Sequence, residues 1–209
     1  MTGMLQVLDF LGVAVFAVTG AIVASRLRLD MLAFLFFAVF TGVGGGTLRD
    51  LLLGAPVFWV ENQIYLIVCV AIGAAMWGLA PFVERISKPL RWADALGLSA
   101  YSVLGAAKAL SLGHGAMVAV LMGVSTATFG GFIRDTVAGL PSAILKREIY
   151  ITAAFAGAGG YVLLWSLGIP GWPSALGGFA LALGLRGGAI MREWSLPSYQ
   201  PPEDRTKDP

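Results

Sequence analysis

The sequence predicts an all-α integral membrane protein: seven transmembrane helices, arranged as two inverted three-helix repeats plus a seventh helix, with helices 2 and 5 broken at glycines. Three observations carry that prediction. Hydrophobic residues make up 57% of the 209-residue chain and charged residues only 12%, about half the charged share of an ordinary soluble domain. The apolar residues gather into runs long enough to cross a hydrocarbon core, which takes about 20 residues of helix. A glycine-rich stretch ending in Arg-Asp occurs twice, as TGVGGGTLRD from Thr41 and as TATFGGFIRD from Thr126.

The predicted spans fall at about 6–25, 31–54, 62–83, 92–112, 115–137, 148–168 and 174–191. Polar or turn-rich pieces divide them: SRLRLD, GAPVFWVEN, ERISKPLRWAD, LGHG, LPSAILKRE and GIPGWPS. Together they make one transmembrane domain over 1–192, with the first repeat at about 5–84 and the second at about 90–169. The first span is read as a retained helix and not as a cleaved signal, because residues 1–6 hold no Lys or Arg and the apolar stretch is long enough to span. The polar, proline-rich end, 193–209, reads as a disordered cytoplasmic tail.

Basic residues set the predicted orientation. Arg26 and Arg28 follow the first span, Arg85, Lys88 and Arg91 the third, Lys146 and Arg147 the fifth, and Arg192, Arg205 and Lys207 the seventh. The connections after the fourth and sixth carry none. The N-terminus is therefore expected outside and the C-terminus in the cytoplasm, in a bacterial or archaeal inner (plasma) membrane. Arg49 breaks the pattern, since it lies near the outer end of the second span; an offender of this kind belongs inside the protein. A net charge of +2 gives no case for a nucleic-acid partner. Cys69, the single cysteine, has no partner for an internal disulfide, and one histidine leaves no metal cluster. With no Ser-His-Asp or Cys-His constellation either, neither an enzyme nor a cofactor is expected.

The two motifs lie 85 residues apart, and the same offset pairs Asp9 with Asp94, Gly12 with Gly97, Gly20 with Gly105, Gly54 with Gly139, Pro56 with Pro141 and Tyr65 with Tyr150. So many matches at one register mark a duplicated unit. Each unit holds three spans, and an odd number inverts the second copy across the membrane. Inverted repeats with glycine-interrupted helices are a common layout for transport pathways.

The glycines admit two readings. Each costs a helix about 1 kcal/mol relative to alanine, so Gly44, Gly45 and Gly46, with Gly130 and Gly131, are read as breaks that free backbone groups toward a pathway. Close packing is the competing reading, preferred for Gly12, Gly20, Gly73, Gly97 and Gly105. Buried charge in a membrane costs at least a few kcal/mol, so Arg49, Asp50, Arg134 and Asp135 need partners. Arg49 and Asp50, about 100° apart on a helix, are not expected to pair with each other. One charged cluster is expected on each side of a central constriction. Lys108 has Val23 as its repeat mate, and two readings stand: a snorkelling lysine or a pore-facing charge. Asp9 and Asp94 are read as helix caps, and Trp59, Tyr65, Trp92, Tyr150, Trp165 and Trp172 as interfacial aromatics.

The paired GGGTLRD and GGFIRD, with two inverted three-helix repeats and an outside N-terminus, resemble the prokaryotic relatives of the trimeric intracellular cation (TRIC) channels over about residues 5–192. The resemblance implies a homotrimer with an ion pathway inside each protomer and helices 2 and 5 kinked at the glycines. It also implies passage of monovalent cations, potassium and sodium, in contact with membrane lipids. Pore and gating residues carried over are Thr41, Gly44, Gly45, Gly46, Arg49, Asp50, Lys108, Thr126, Phe129, Gly130, Gly131, Arg134 and Asp135. Two departures are visible: Lys108 is followed by Ala109 and Leu110, where animal members carry Glu and Val, and Phe129 stands where the first motif has Gly44. Many bacterial members of the wider group carry the description glycine transporter, which is the alternative function.

Overall fold

The computed structural model describes residues 3–83, 89–144, 148–169 and 171–197. The basic residues Arg85, Lys88, Lys146, Arg147, Arg205 and Lys207 lie outside them, as does most of the tail. The described chain folds as α1 (Gly3–Arg26), α2 (Met31–Leu52), α3 (Phe58–Glu61), α4 (Ile64–Val83), α5 (Pro89–Ser111), α6 (Ala116–Val137), α7 (Ile151–Ser166) and α8 (Trp172–Arg192). The short α3 was not expected; it lies in the connector after the second predicted span.

Four of these helices are long and apolar enough to cross a membrane: α1 from Gln6, α2, α6 and α8. α4 and α7 carry shorter apolar stretches. α5 has 23 residues, but Arg91, Asp94 and Lys108 lower its hydropathy. Large side chains such as Leu32 and Met117 stand 74% and 80% exposed, which suits lipid and not water. Sequence chemistry sets the ends. Asp30 caps α2 by accepting the Ala33 amide at 2.8 Å. Gly54 and Gly139 follow α2 and α6 with φ of +62° and +65°, a left-handed backbone that glycine adopts without steric cost.

The helices pack as two triplets, α1–α2–α4 and α5–α6–α7, which meet through α1 against α5 and α2 against α6; α8 lies on α5 and α7. The 85-residue register reappears as contacts. A Cβ on Gly12 would strike the Tyr101 ring and one on Gly97 the Phe16 ring, and Phe16 is the mate of Tyr101. Gly20 abuts the Phe37 carbonyl and Thr41 hydroxyl, and Gly105 the Met122 carbonyl and Thr126 hydroxyl; these too are mates. In both central crossings the pairing runs antiparallel.

The α2–α6 crossing corrects the reading of the glycine motifs. A Cβ on Gly45 would overlap the Thr126 carbonyl oxygen, and one on Gly130 would lie 2.6 Å from the Thr41 carbonyl oxygen. Both helices run on through their motifs without a break. The physical reason is that helix ladders left open in lipid are costly, whereas glycines kept inside a continuous helix let two backbones touch. Gly44 makes room for Ile133 and Gly46 for the Phe58 ring. Phe129, half buried, stacks on Phe132 at 5.9 Å.

Candidate functional site: two buried charge clusters flanking a helix crossing

Six residues beyond the middle of the crossing, α2 brings in Arg49 and α6 brings in Arg134. Because the helices are antiparallel, the two arginines lie on opposite sides, about 18 Å apart at about 1.5 Å of rise per residue.

The first cluster is centred on Asp50, whose side chain is fully buried. Its Oδ1 accepts from Arg49 Nε at 2.7 Å and from Lys108 Nζ at 2.7 Å. Its Oδ2 accepts the Phe58 amide at 3.0 Å, which explains the turn of helix at α3. The Arg49 guanidinium also lies over the Phe58 ring, 5.7 Å from its centroid. One expectation is thereby overturned, and one of the two readings of Lys108 drops out. Arg49 and Asp50 do pair, because the long arginine side chain bends back along its own helix so that Nε reaches the neighbouring carboxylate. Lys108 does not snorkel; it turns inward to Asp50.

The second cluster repeats the first with one substitution of partner. Arg134 Nε donates to Asp135 Oδ1 at 2.8 Å, and Asp135 Oδ2 accepts the Ala143 amide at 3.3 Å. Ala143 is the repeat mate of Phe58. Here Arg134 Nη1 also reaches Asp94 Oδ1 at 3.0 Å. Asp94 is therefore not a helix cap, and neither is Asp9; each lies inside its helix, which starts before the polar residues that flank the apolar run. Tyr65 and Tyr150 are buried and face Asp9 and Asp94, so they are not interfacial aromatics, whereas Trp92, Trp165 and Trp172 are exposed. Trp59 is tied down by an Nε1 donation to the Thr47 hydroxyl at 2.8 Å.

The second cluster opens onto a cavity of about 310 Å³ lined by Arg26, Arg91, Asp94, Arg134, Glu148 and Arg186, among others. At its edge Arg186 Nη2 donates to Glu148 at 2.7 Å, and Arg91 lies 3.5 Å from the same carboxylate. Arg186 also sits 5.0 Å from the Tyr150 ring centroid. Sequence reasoning passed over Arg186 and Glu148, although a lone arginine inside a predicted span was a usable signal. At the start of the polar tail, Ser195 bridges to Glu148 and Trp194 covers Gly188.

Thr41 and Thr126 lie at the crossing, both buried. Thr126 donates to the Met122 carbonyl of its own helix at 2.6 Å. Lys108 is the residue most separable from the fold, because its removal leaves Arg49 and Asp50 still paired. Lys108→Ala is expected to keep the folded protein and to change the voltage dependence of its current. An unchanged voltage dependence in planar bilayers would return Lys108 to a packing role.

A family model described as glycine transporter matches the chain twice, over 6–81 and 91–166, two stretches set apart by the same 85 residues. A membrane protein from Vibrio cholerae, described as UPF0126, is 37% identical over 95% of this chain and 84% of its own length. The UPF0126 inner membrane protein YadS of Escherichia coli K12 is 36% identical over 92% and 94%. Among solved structures, the TRIC trimeric intracellular cation channel orthologue from Rhodobacter sphaeroides superposes with a TM-score of 0.88 at 43% identity, covering 91% of this chain and 98% of that one. The chain belongs to the TRIC channel family. Like its relatives, this TRIC member is a multi-pass membrane protein, and its structural neighbours are channels and not enzymes.

Proposed function

We propose that the protein is a passive channel for monovalent cations, permeable to potassium and sodium, with one pathway inside each protomer of a homotrimer. The observation that carries this reading is the pair of buried, mate-related charge clusters on opposite sides of the α2–α6 crossing, in a chain whose solved neighbours are cation channels. The pathway runs from the cavity at Asp94 and Arg134, past Thr126 and Thr41, to Lys108 and Asp50. The two ends differ in access: Arg49 and Asp50 are sealed, while Arg134 and Asp135 border an open cavity. That asymmetry supports a closed conformation, shut at the first cluster. Seven of the helices would span the bilayer, with α3 as a loop element. The basic residues of the sequence place the first cluster toward the outside and the open cavity toward the cytoplasm.

Lys108 and the arginines would set the barrier, and Thr41 and Thr126, with nearby carbonyls, would replace part of a cation's hydration shell. Transport of glycine is the second reading, favoured by the family description. Rubidium and labelled-glycine uptake into proteoliposomes of the purified chain separates them. Fast rubidium entry without glycine entry is expected. Saturable glycine uptake with no rubidium entry would replace the channel with a carrier.

A further inference from the structure

The two clusters share a plan but not a full set of bonds. In the second, Asp94 is bonded to Arg134. In the first, the mate-related pair Asp9 and Arg49 is not joined. Asp9 is 1% exposed and Arg49 0%. Neither Asp9 oxygen, nor Nη1 or Nη2 of Arg49, stands in hydrogen-bonding geometry with a protein partner. The Tyr65 hydroxyl lies against Asp9 as a neutral donor, and the charges of Arg49, Lys108 and Asp50 act on it. Asp50 cannot serve a further cation without giving something up, since both of its oxygens are already engaged by Arg49, Lys108 and the Phe58 amide.

The first cluster therefore contains two fixed cations, one carboxylate bonded to both of them, and a second carboxylate, Asp9, that is bonded to neither and is faced by the Tyr65 hydroxyl. A buried carboxylate with no cation bonded to it is expensive, and the cost falls when a cation approaches it. A monovalent cation crossing this end meets Arg49 and Lys108 head-on. Among the described residues of the cluster, Asp9 is the anionic acceptor it can use without breaking an existing ion pair.

We propose that Asp9 is a cation-coordinating residue of the permeation pathway, the transient binding carboxylate that carries a monovalent cation past Arg49 and Lys108. This rests on the channel reading above. Asp94 is the mate that cannot play the part at rest, because Arg134 holds it. The two halves thus divide the work: one acid of the pair is a structural counter-ion and the other is left free for the permeating ion.

The test is rubidium flux through proteoliposomes of the wild type, Asp9→Asn and Asp9→Glu, each checked for an unchanged elution volume. Asn is nearly isosteric with Asp but cannot carry charge; Glu keeps the charge and adds a methylene. Flux through Asp9→Asn is expected to fall roughly ten-fold, as for a barrier that has lost one modest charge interaction, with half-saturation moved to higher rubidium. Asp9→Glu is expected to retain most of the flux. A packing role predicts the opposite order, because the larger side chain is the one that does not fit, and that order would overturn the proposal. Equal flux in wild type and Asp9→Asn would overturn it too, leaving the channel reading intact. A wild type that passes no rubidium would remove the channel reading itself.

Discussion

Gly45→Ala is expected to destabilise the protein severely, more than alanine at any other position of the GGG motif. The added Cβ would overlap the Thr126 carbonyl oxygen, a backbone atom of α6 that cannot swing aside. Relief requires α2 and α6 to separate, and their crossing is one of the two seams that join the triplets. Inserting a methylene into a packed interior typically costs about 1–3 kcal/mol; an overlap with backbone at a helix seam belongs at or above the top of that range. Gly44→Ala is the control. Its Cβ would approach only Ile133 Cδ1, at 2.8 Å, the end of a side chain that can choose another rotamer. Thermal unfolding of the detergent-solubilised protein, followed by size-exclusion chromatography, should rank wild type above Gly44→Ala, and Gly44→Ala well above Gly45→Ala. If Gly45→Ala melts with the wild type, the close crossing is not what these glycines provide.

Asp50→Ala is the second large effect. Removing the carboxylate leaves Arg49 and Lys108 buried with no carboxylate bonded to either and withdraws the acceptor for the Phe58 amide. Breaking a buried ion pair on one side typically costs about 3–5 kcal/mol, and here two cations are stranded together. Asp135→Ala is expected to be milder. Arg134 keeps Asp94 at 3.0 Å, and the site borders the open cavity, where water can reach it. Double replacement, Asp50→Ala with Lys108→Ala, should recover part of the loss because one of the stranded charges goes with it. Equal damage from Asp50→Ala and Asp135→Ala would mean that the two clusters are not energetically distinct.

Much of this architecture is written in the chain at long range. The repeat register pairs Gly12 with Gly97 and Thr41 with Thr126, and the folded protein sets each of these against the mate of the other's partner. Hydropathy locates the helices because lipid demands long apolar runs, although it starts α1 and α5 late; their first turns carry residues, such as Gln6 and Arg91, that a membrane boundary tolerates. The site was less legible. A helical wheel puts Arg49 and Asp50 on different faces, but it tracks Cβ directions and not the reach of an arginine. Whether a glycine triplet breaks a helix or lets it touch another depends on what lies opposite, and the carbonyls of Thr41 and Thr126 are not visible from one helix alone. The fate of Lys108 was open for the same reason: inward or outward is decided by Asp50, 58 residues away in the chain. The Asp9 carboxylate, bonded to neither cation, emerges only when the two halves are compared bond by bond.

The central claim is that this fold conducts cations. Its most direct test is the current across a planar bilayer holding the purified protein under a potassium chloride gradient, with and without glycine. The account predicts discrete unitary openings that reverse near the potassium equilibrium potential and ignore glycine. A silent bilayer from protein that accumulates labelled glycine in proteoliposomes would contradict it, and the buried charges beside the α2–α6 crossing would then belong to a carrier.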